Sequence, residues 1–142
     1  MVKVIGSIYT GNNTLGDFNW MIKQTEYKNC LFIFNDNIEH HASCKIGKGN
    51  AIIRQYNKFS SLNRPRSVGI PTGTYVFGGF SKLDEEVKTI IDDSINEIKD
   101  LIQKYNFDTV YFSQDSSGKL GTSIFKVNED VINYITEQIY KL

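Results

Sequence analysis

Three segments of this chain hold residue types that bind phosphate esters. The first, Asn35-Asp36-Asn37, offers amide donors and acceptors at the end of an apolar run. The second, Gly47-Lys48-Gly49-Asn50-Ala51, lets backbone N–H groups approach an anion, and the first turn of a following helix adds partial positive charge. Its spacing is neither a dinucleotide fingerprint nor a Walker loop, so alone it reads first as a tight turn. The third, Pro71-Thr72-Gly73-Thr74-Tyr75-Val76-Phe77-Gly78-Gly79-Phe80, supplies glycine backbone and threonine hydroxyls. Tyr75, Phe77 and Phe80 add flat apolar walls fit to sandwich a ribose or base, although one or two of them are expected to close the core.

Arg54, Arg64 and Arg66 cluster in a chain that otherwise uses lysine. A guanidinium grips phosphate with two parallel hydrogen bonds, and Arg54, one helical turn past the second loop, is the expected clamp. Arg64 and Arg66 read equally as solvated surface charge. His40 and His41 adjoin Cys44, yet Cys30 lies too far upstream for any recognised zinc spacing, so no metal is expected. No Ser/His/Asp or Cys/His nucleophile stands out. The catalytic candidates are Asn35, Asp36 and His40, as groups that orient water or move a proton at the rim of a site.

Positioning these residues falls to one domain, since 142 residues leave too little for two cores. Sixteen basic residues balance sixteen acidic ones, so no global field attracts nucleic acid or an anionic membrane. No apolar run is long enough to span a bilayer, and the N-terminus does not read as a signal peptide. Two cysteines read as free thiols in a reducing cytoplasm. Abundant Lys, Ile and Asn resemble the codon usage of an AT-rich genome, such as a low-GC bacterium or its phage.

Val2–Tyr9 reads as a strand in which Gly6 marks a bend or a close backbone approach, followed by a turn and a short helical stretch within Asp17–Lys23. Cys30–Phe34 is a doubly covered strand that Asn35 ends. A short helix over Ala51–Tyr56 and a strand over Ser67–Ile70 follow. Ser81 is expected to cap a long helix, with Asp84 as its capping-box partner. That helix buries Val87, Ile90, Ile91, Ile95, Ile98, Leu101 and Ile102 at spacings of three and four. Thr109–Ser113 is a further strand, and Asn128 caps a last helix with Val131, Ile132, Ile135 and Ile139 inward. Strands alternating with helices predict an α/β fold, in which ligands bind at the carboxyl ends of the strands. The loops leaving Asn35, Pro71 and Ser113 lie there.

The order VIGSI, LFIFNDN, GKGNAIIR, SVGIPTGTYVFGG, long helix and TVYFS resembles the macro-domain family, in particular its short, divergent phage-type members. The resemblance implies a three-layer α/β fold with a mixed, largely parallel sheet and helices on both faces. It also implies a site for ADP-ribose or a derived nucleotide, with no cofactor and no metal. The ligand-binding residues it implies, joined with those read above, are Ser7, Ile8, Asn35, Asn37, Gly47, Gly49, Asn50, Ala51, Arg54, Thr72, Gly73, Thr74, Tyr75, Phe77 and Ser113. Ser7 stands where the family commonly has an Asp that holds the adenine amino group. The expected function is binding of the nucleotide, as a sponge for an immune signal. A hydrolase or phosphatase of the same fold is the alternative, and a protein-interaction module is the third reading.

Overall fold

The computed structural model describes residues 2–122 and 126–142. Its strands β1 (Lys3–Ser7), β2 (Cys30–Asp36), β3 (Ser67–Pro71) and β6 (Thr109–Ser113) form one sheet in the order β1-β6-β2-β3. All three strand pairs are parallel, so the expected mixed sheet is corrected to a parallel one. The antiparallel pairing lies outside it, in a small hairpin of β4 (Gly73–Thr74) and β5 (Gly78–Gly79) within the loop after β3.

Alternation along the strands assigns each residue a face. Leu31, Ile33, Val68, Ile70, Val110 and Phe112 meet the two long helices, α2 (Glu85–Tyr105) and α3 (Glu129–Tyr140). Cys30, Phe32 and Phe34 meet α1 (Phe18–Met21) and the 3-10 helix Gly49–Tyr56, through Phe18, Met21, Ile22 and Ile53. Phe32 anchors that second layer, with Phe18 edge-on at 5.0 Å and Tyr111 stacked at 5.7 Å. Helices therefore cover both faces, as predicted. Among the described residues no helix is long and apolar enough to cross a membrane.

Several boundaries move, each for a local reason. The first strand shrinks to Lys3–Ser7, and the room above Gly6 is taken by the Gln114 side chain rather than by another backbone. β2 runs two residues past Phe34, because Asn35 and Asp36 stay in register with Ile70 and Pro71. The predicted helix at Ala51 begins earlier, at Gly49, and winds as a 3-10 helix. The cap of α2 is Asp84 itself, whose carboxylate accepts the Val87 N–H at 2.9 Å, so Ser81 lies outside the helix. Asn128 caps α3 as expected, accepting the Asp130 N–H.

Candidate functional site at the carboxyl edge of the sheet

Connections from neighbouring strands leave toward opposite faces. The chain leaves β1 and β2 for the layer of α1 and the 3-10 helix, and leaves β3 and β6 for α2 and α3. The order β1-β6-β2-β3 therefore opens crevices at the carboxyl ends, where diverging loops leave room for a ligand. Predicted residues fall at two of these crevices, β1/β6 and β2/β3.

Ser7 and Ser113 end β1 and β6 in direct register, so their side chains share a face. The Asn50 amide donates to the Ser113 hydroxyl at 3.1 Å, and its carbonyl oxygen accepts the N–H of Phe18, the first residue of α1. The glycine-containing loop thus delivers a side chain to the strand ends. Ser7 is buried, and its hydroxyl has no hydrogen-bond partner among the described residues. Ile8 follows, exposed.

Between the ends of β2 and β3 Asn35 accepts a hydrogen bond from the Thr72 hydroxyl. The loops after β2 and β3 are joined there: the Thr72 N–H donates to the Asp36 carbonyl at 3.0 Å, and the Ile38 N–H to the Gly73 carbonyl at 3.0 Å. Asn37 is buried, and its side-chain oxygen lies 3.0 Å from the His40 N–H and 2.9 Å from His40 Nδ1. Gly73 is needed for close approach to the hairpin's other arm, since a Cβ there would sit 2.2 Å from the Gly78 carbonyl oxygen. Thr74 accepts the Phe77 N–H, and Glu39 accepts the Tyr75 N–H. Phe80 packs on the core, while Tyr75, Val76 and Phe77 form an exposed apolar tip, with Phe77 89% exposed. The two rings expected to wall a ligand therefore point into solvent.

Arg54 is the main correction. It is 4% exposed, and its guanidinium donates to the Asp36 carboxylate at 2.5 Å and to the Lys45 carbonyl at 3.0 Å. Gly47 lies against it, with its N–H donating to the Ala51 carbonyl, so this loop packs around Arg54. Gly49 takes the left-handed φ of +58° that opens the 3-10 helix. Ala51 packs beneath, in the second layer. Arg64 and Arg66 are likewise engaged with backbone carbonyls.

Asp36, the catalytic candidate, is 2% exposed and belongs to a buried charge network. Burial alone would raise its pKa. The neighbouring His41 imidazolium and the hydrogen bond and charge of Arg54 outweigh that and hold it below the usual carboxylate range. His41 lies between carboxylates, with Nδ1 3.7 Å from Asp36 and Nε2 3.3 Å from Glu97, and Lys58 reaches Glu97 at 3.1 Å. Desolvation works against the imidazolium, yet the two carboxylates raise its pKa to about 9. A carboxylate so committed is a poor proton acceptor near neutral pH. Glu97 and Lys58 gave no local sequence signal for this role, being far from Asp36 along the chain. Gly69, which leaves room for the Asp36 carboxylate, was readable as a glycine set between Val68 and Ile70 within a strand.

Among the described residues no group of three or more His, Cys, Asp or Glu is arranged to hold a metal ion. Concavities of about 230 and 330 Å³ flank α2, the smaller lined by Ile38, His41 and Pro71 beside the end of β3. No family model, curated protein or solved structure matches this chain.

Proposed function

We propose that this protein binds ADP-ribose, or a nucleotide derived from it, at the carboxyl ends of β1, β6 and β2, and releases it unaltered. The observation that carries the reading is the set of neutral hydrogen-bonding groups at the carboxyl ends of the strands: Ser7, Ser113 and Asn50 on the face of the 3-10 helix, with Asn35 and Thr72 on the face of α2. A buried hydroxyl without a protein partner, Ser7, belongs to that set, and a ligand group would satisfy it. A sugar nucleotide presents many acceptor oxygens to such groups. Lys45 and Lys48 are exposed on the adjoining loop and supply cationic charge for its phosphates.

Binding is favoured over hydrolysis because Asp36 is tied to Arg54. In a phage-encoded chain, binding without turnover would sequester a nucleotide signal. The interaction module stays as a second reading because three consecutive apolar residues, Tyr75 to Phe77, are exposed together.

The test is a thermal-shift screen with ADP-ribose, cyclic ADP-ribose isomers, NAD and cyclic dinucleotides. A ligand at a hundred times its Kd stabilises the fold by about 2.7 kcal/mol. Ser7→Ala is expected to weaken the hit roughly fivefold, the worth of one ordinary hydrogen bond, with the melting temperature of the ligand-free protein little changed. Chromatography of the ligand after incubation, in chelator and then in Mg²⁺ or Zn²⁺, should return it intact. Absence of any shift sinks the nucleotide reading, and many turnovers promote the hydrolase.

A further inference from the structure

The two edges of the sheet are finished differently. All five residues of β3 are buried under α2 and the 3-10 helix. β1 is the other edge, and its middle residues Val4, Ile5 and Gly6 are only half-buried. The Lys3 N–H donates to the Asp108 carbonyl and the Gln114 N–H donates to the Ser7 carbonyl, both at 3.0 Å. Residues 3 and 7 therefore turn their backbone groups toward β6. The two-residue period of a strand points those of Ile5 the same way, and those of Val4 and Gly6 outward. Beyond the ladder with β6, no backbone hydrogen bond among the described residues reaches Val4 or Gly6. The edge carries no proline and no bulge, and its only charge is Lys3.

We propose that β1 pairs antiparallel with β1 of a second copy of this chain, about a twofold axis at Ile5, to make one continuous eight-stranded sheet. The self-complementarity is in the backbone. Val4 faces Gly6 of the partner and Gly6 faces Val4 of the partner, and each pair exchanges two hydrogen bonds. Ile5 then faces its own copy in the close, non-hydrogen-bonded position, with Cβ atoms roughly 5 Å apart. Lys3 falls opposite a serine, so the contact opposes no like charges, and a chain of net charge zero meets no general repulsion from its copy. A contact of this kind is isologous and closes at two subunits. Five residues of edge bury less than a permanent dimer needs, so the association is concentration-dependent.

Sedimentation equilibrium of the full chain, from about 10 µM to 1 mM, should show the mass rising from 16.2 kDa toward that of two chains. Val4→Pro removes one outward N–H and no bond to β6, and should weaken dimerisation about tenfold or more while the melting temperature stays near that of the unsubstituted chain. Ile5→Cys, with the exposed Cys44 changed to Ser, should yield a covalent dimer under mild oxidant, because the Cα atoms of such a facing pair, about 4.5 Å apart, are close enough to be bridged after a small side-chain adjustment. If Val4→Pro fails to fold, the cross-link decides alone. A monomer at 1 mM with no cross-link overturns the proposal, and so does a dimer that survives Val4→Pro undiminished.

Discussion

Replacing Arg54 by Ala separates a ligand clamp from a structural pin. In the structure the guanidinium is the closest partner of a carboxylate that is 2% exposed, and it also holds the Lys45 carbonyl. Removing it leaves Asp36 buried with the Asn37 N–H at 2.9 Å and His41 at 3.7 Å. Breaking a buried pair from one side costs roughly 3–5 kcal/mol, a large share of the 5–15 kcal/mol that holds a domain together. For a chain of this length that is a fall in melting temperature on the order of 10 °C. Urea unfolding at pH 7 should give the same loss as a lower midpoint with an unchanged slope. The loss should also depend on pH. Asp36 has its folded pKa depressed, so its contribution is present above the unfolded carboxylate pKa and is lost as pH falls through the folded value. In the variant, desolvation is less opposed and protonation of Asp36 comes earlier, so the gap between variant and wild type should narrow toward pH 4. Asp36→Asn combined with Arg54→Met should cost less than the sum of the single changes, since each single change strands one buried charge of the pair and the double change strands neither. A folded Arg54→Ala variant within 1 kcal/mol of wild type would refute the pin and restore the reading of Arg54 as a ligand clamp.

Two further outcomes follow from the same network. Gly69→Ala places a Cβ 2.3 Å from the Asp36 carboxylate oxygen and 2.6 Å from its Cβ, so it should displace Asp36 and cost about as much as Arg54→Ala; a loss under 1 kcal/mol in urea unfolding would show that the carboxylate is not seated there. His41 has its folded pKa raised to about 9, so its contribution is complete below the unfolded value near 6.5 and is lost as pH rises through 9. Wild type should lose on the order of 2 kcal/mol between pH 7 and 9.5 that His41→Gln does not lose, and parallel stability curves for the two would remove the imidazolium from the network.

The long helices were legible because the three-four spacing of Val87, Ile91, Ile95 and Ile98 answers to one buried face whatever it packs against. The same holds for Asn128, since capping is settled within a few residues. What the chain conceals is non-local. Nothing near Lys3 or Cys30 announces that Thr109–Ser113 lies between them, because parallel partners are joined only through the whole fold. Asn35 and Asp36 looked like the end of a strand because polar residues seldom continue one. They continue this one because Asp36 finds an arginine eighteen residues onward and a glycine on the neighbouring strand. Arg54 read as a phosphate clamp, and only the fold shows its guanidinium paired with Asp36.

That outcome assigns different work to the charged and the neutral residues of one short segment. Asn35 and Asp36 are consecutive in a strand and therefore face opposite sides of the sheet. Asp36 turns to the side of Arg54, and the network continues through His41 and Glu97 onto α2. The strand end is thus fastened to the 3-10 helix on one face and to α2 on the other. Asn35 turns to the opposite side and meets Thr72. A site recognising a ligand through neutral hydrogen bonds needs its partners held to fractions of an ångström, which a pinned strand end provides and a loop does not. Substitution of Asp36 is then expected to lower stability and ligand affinity together. Substitution of Ser7, a neutral edge residue outside the charge network, should lower affinity alone. Equal effects of the two on both quantities would show that the edge and the pin are one and the same device.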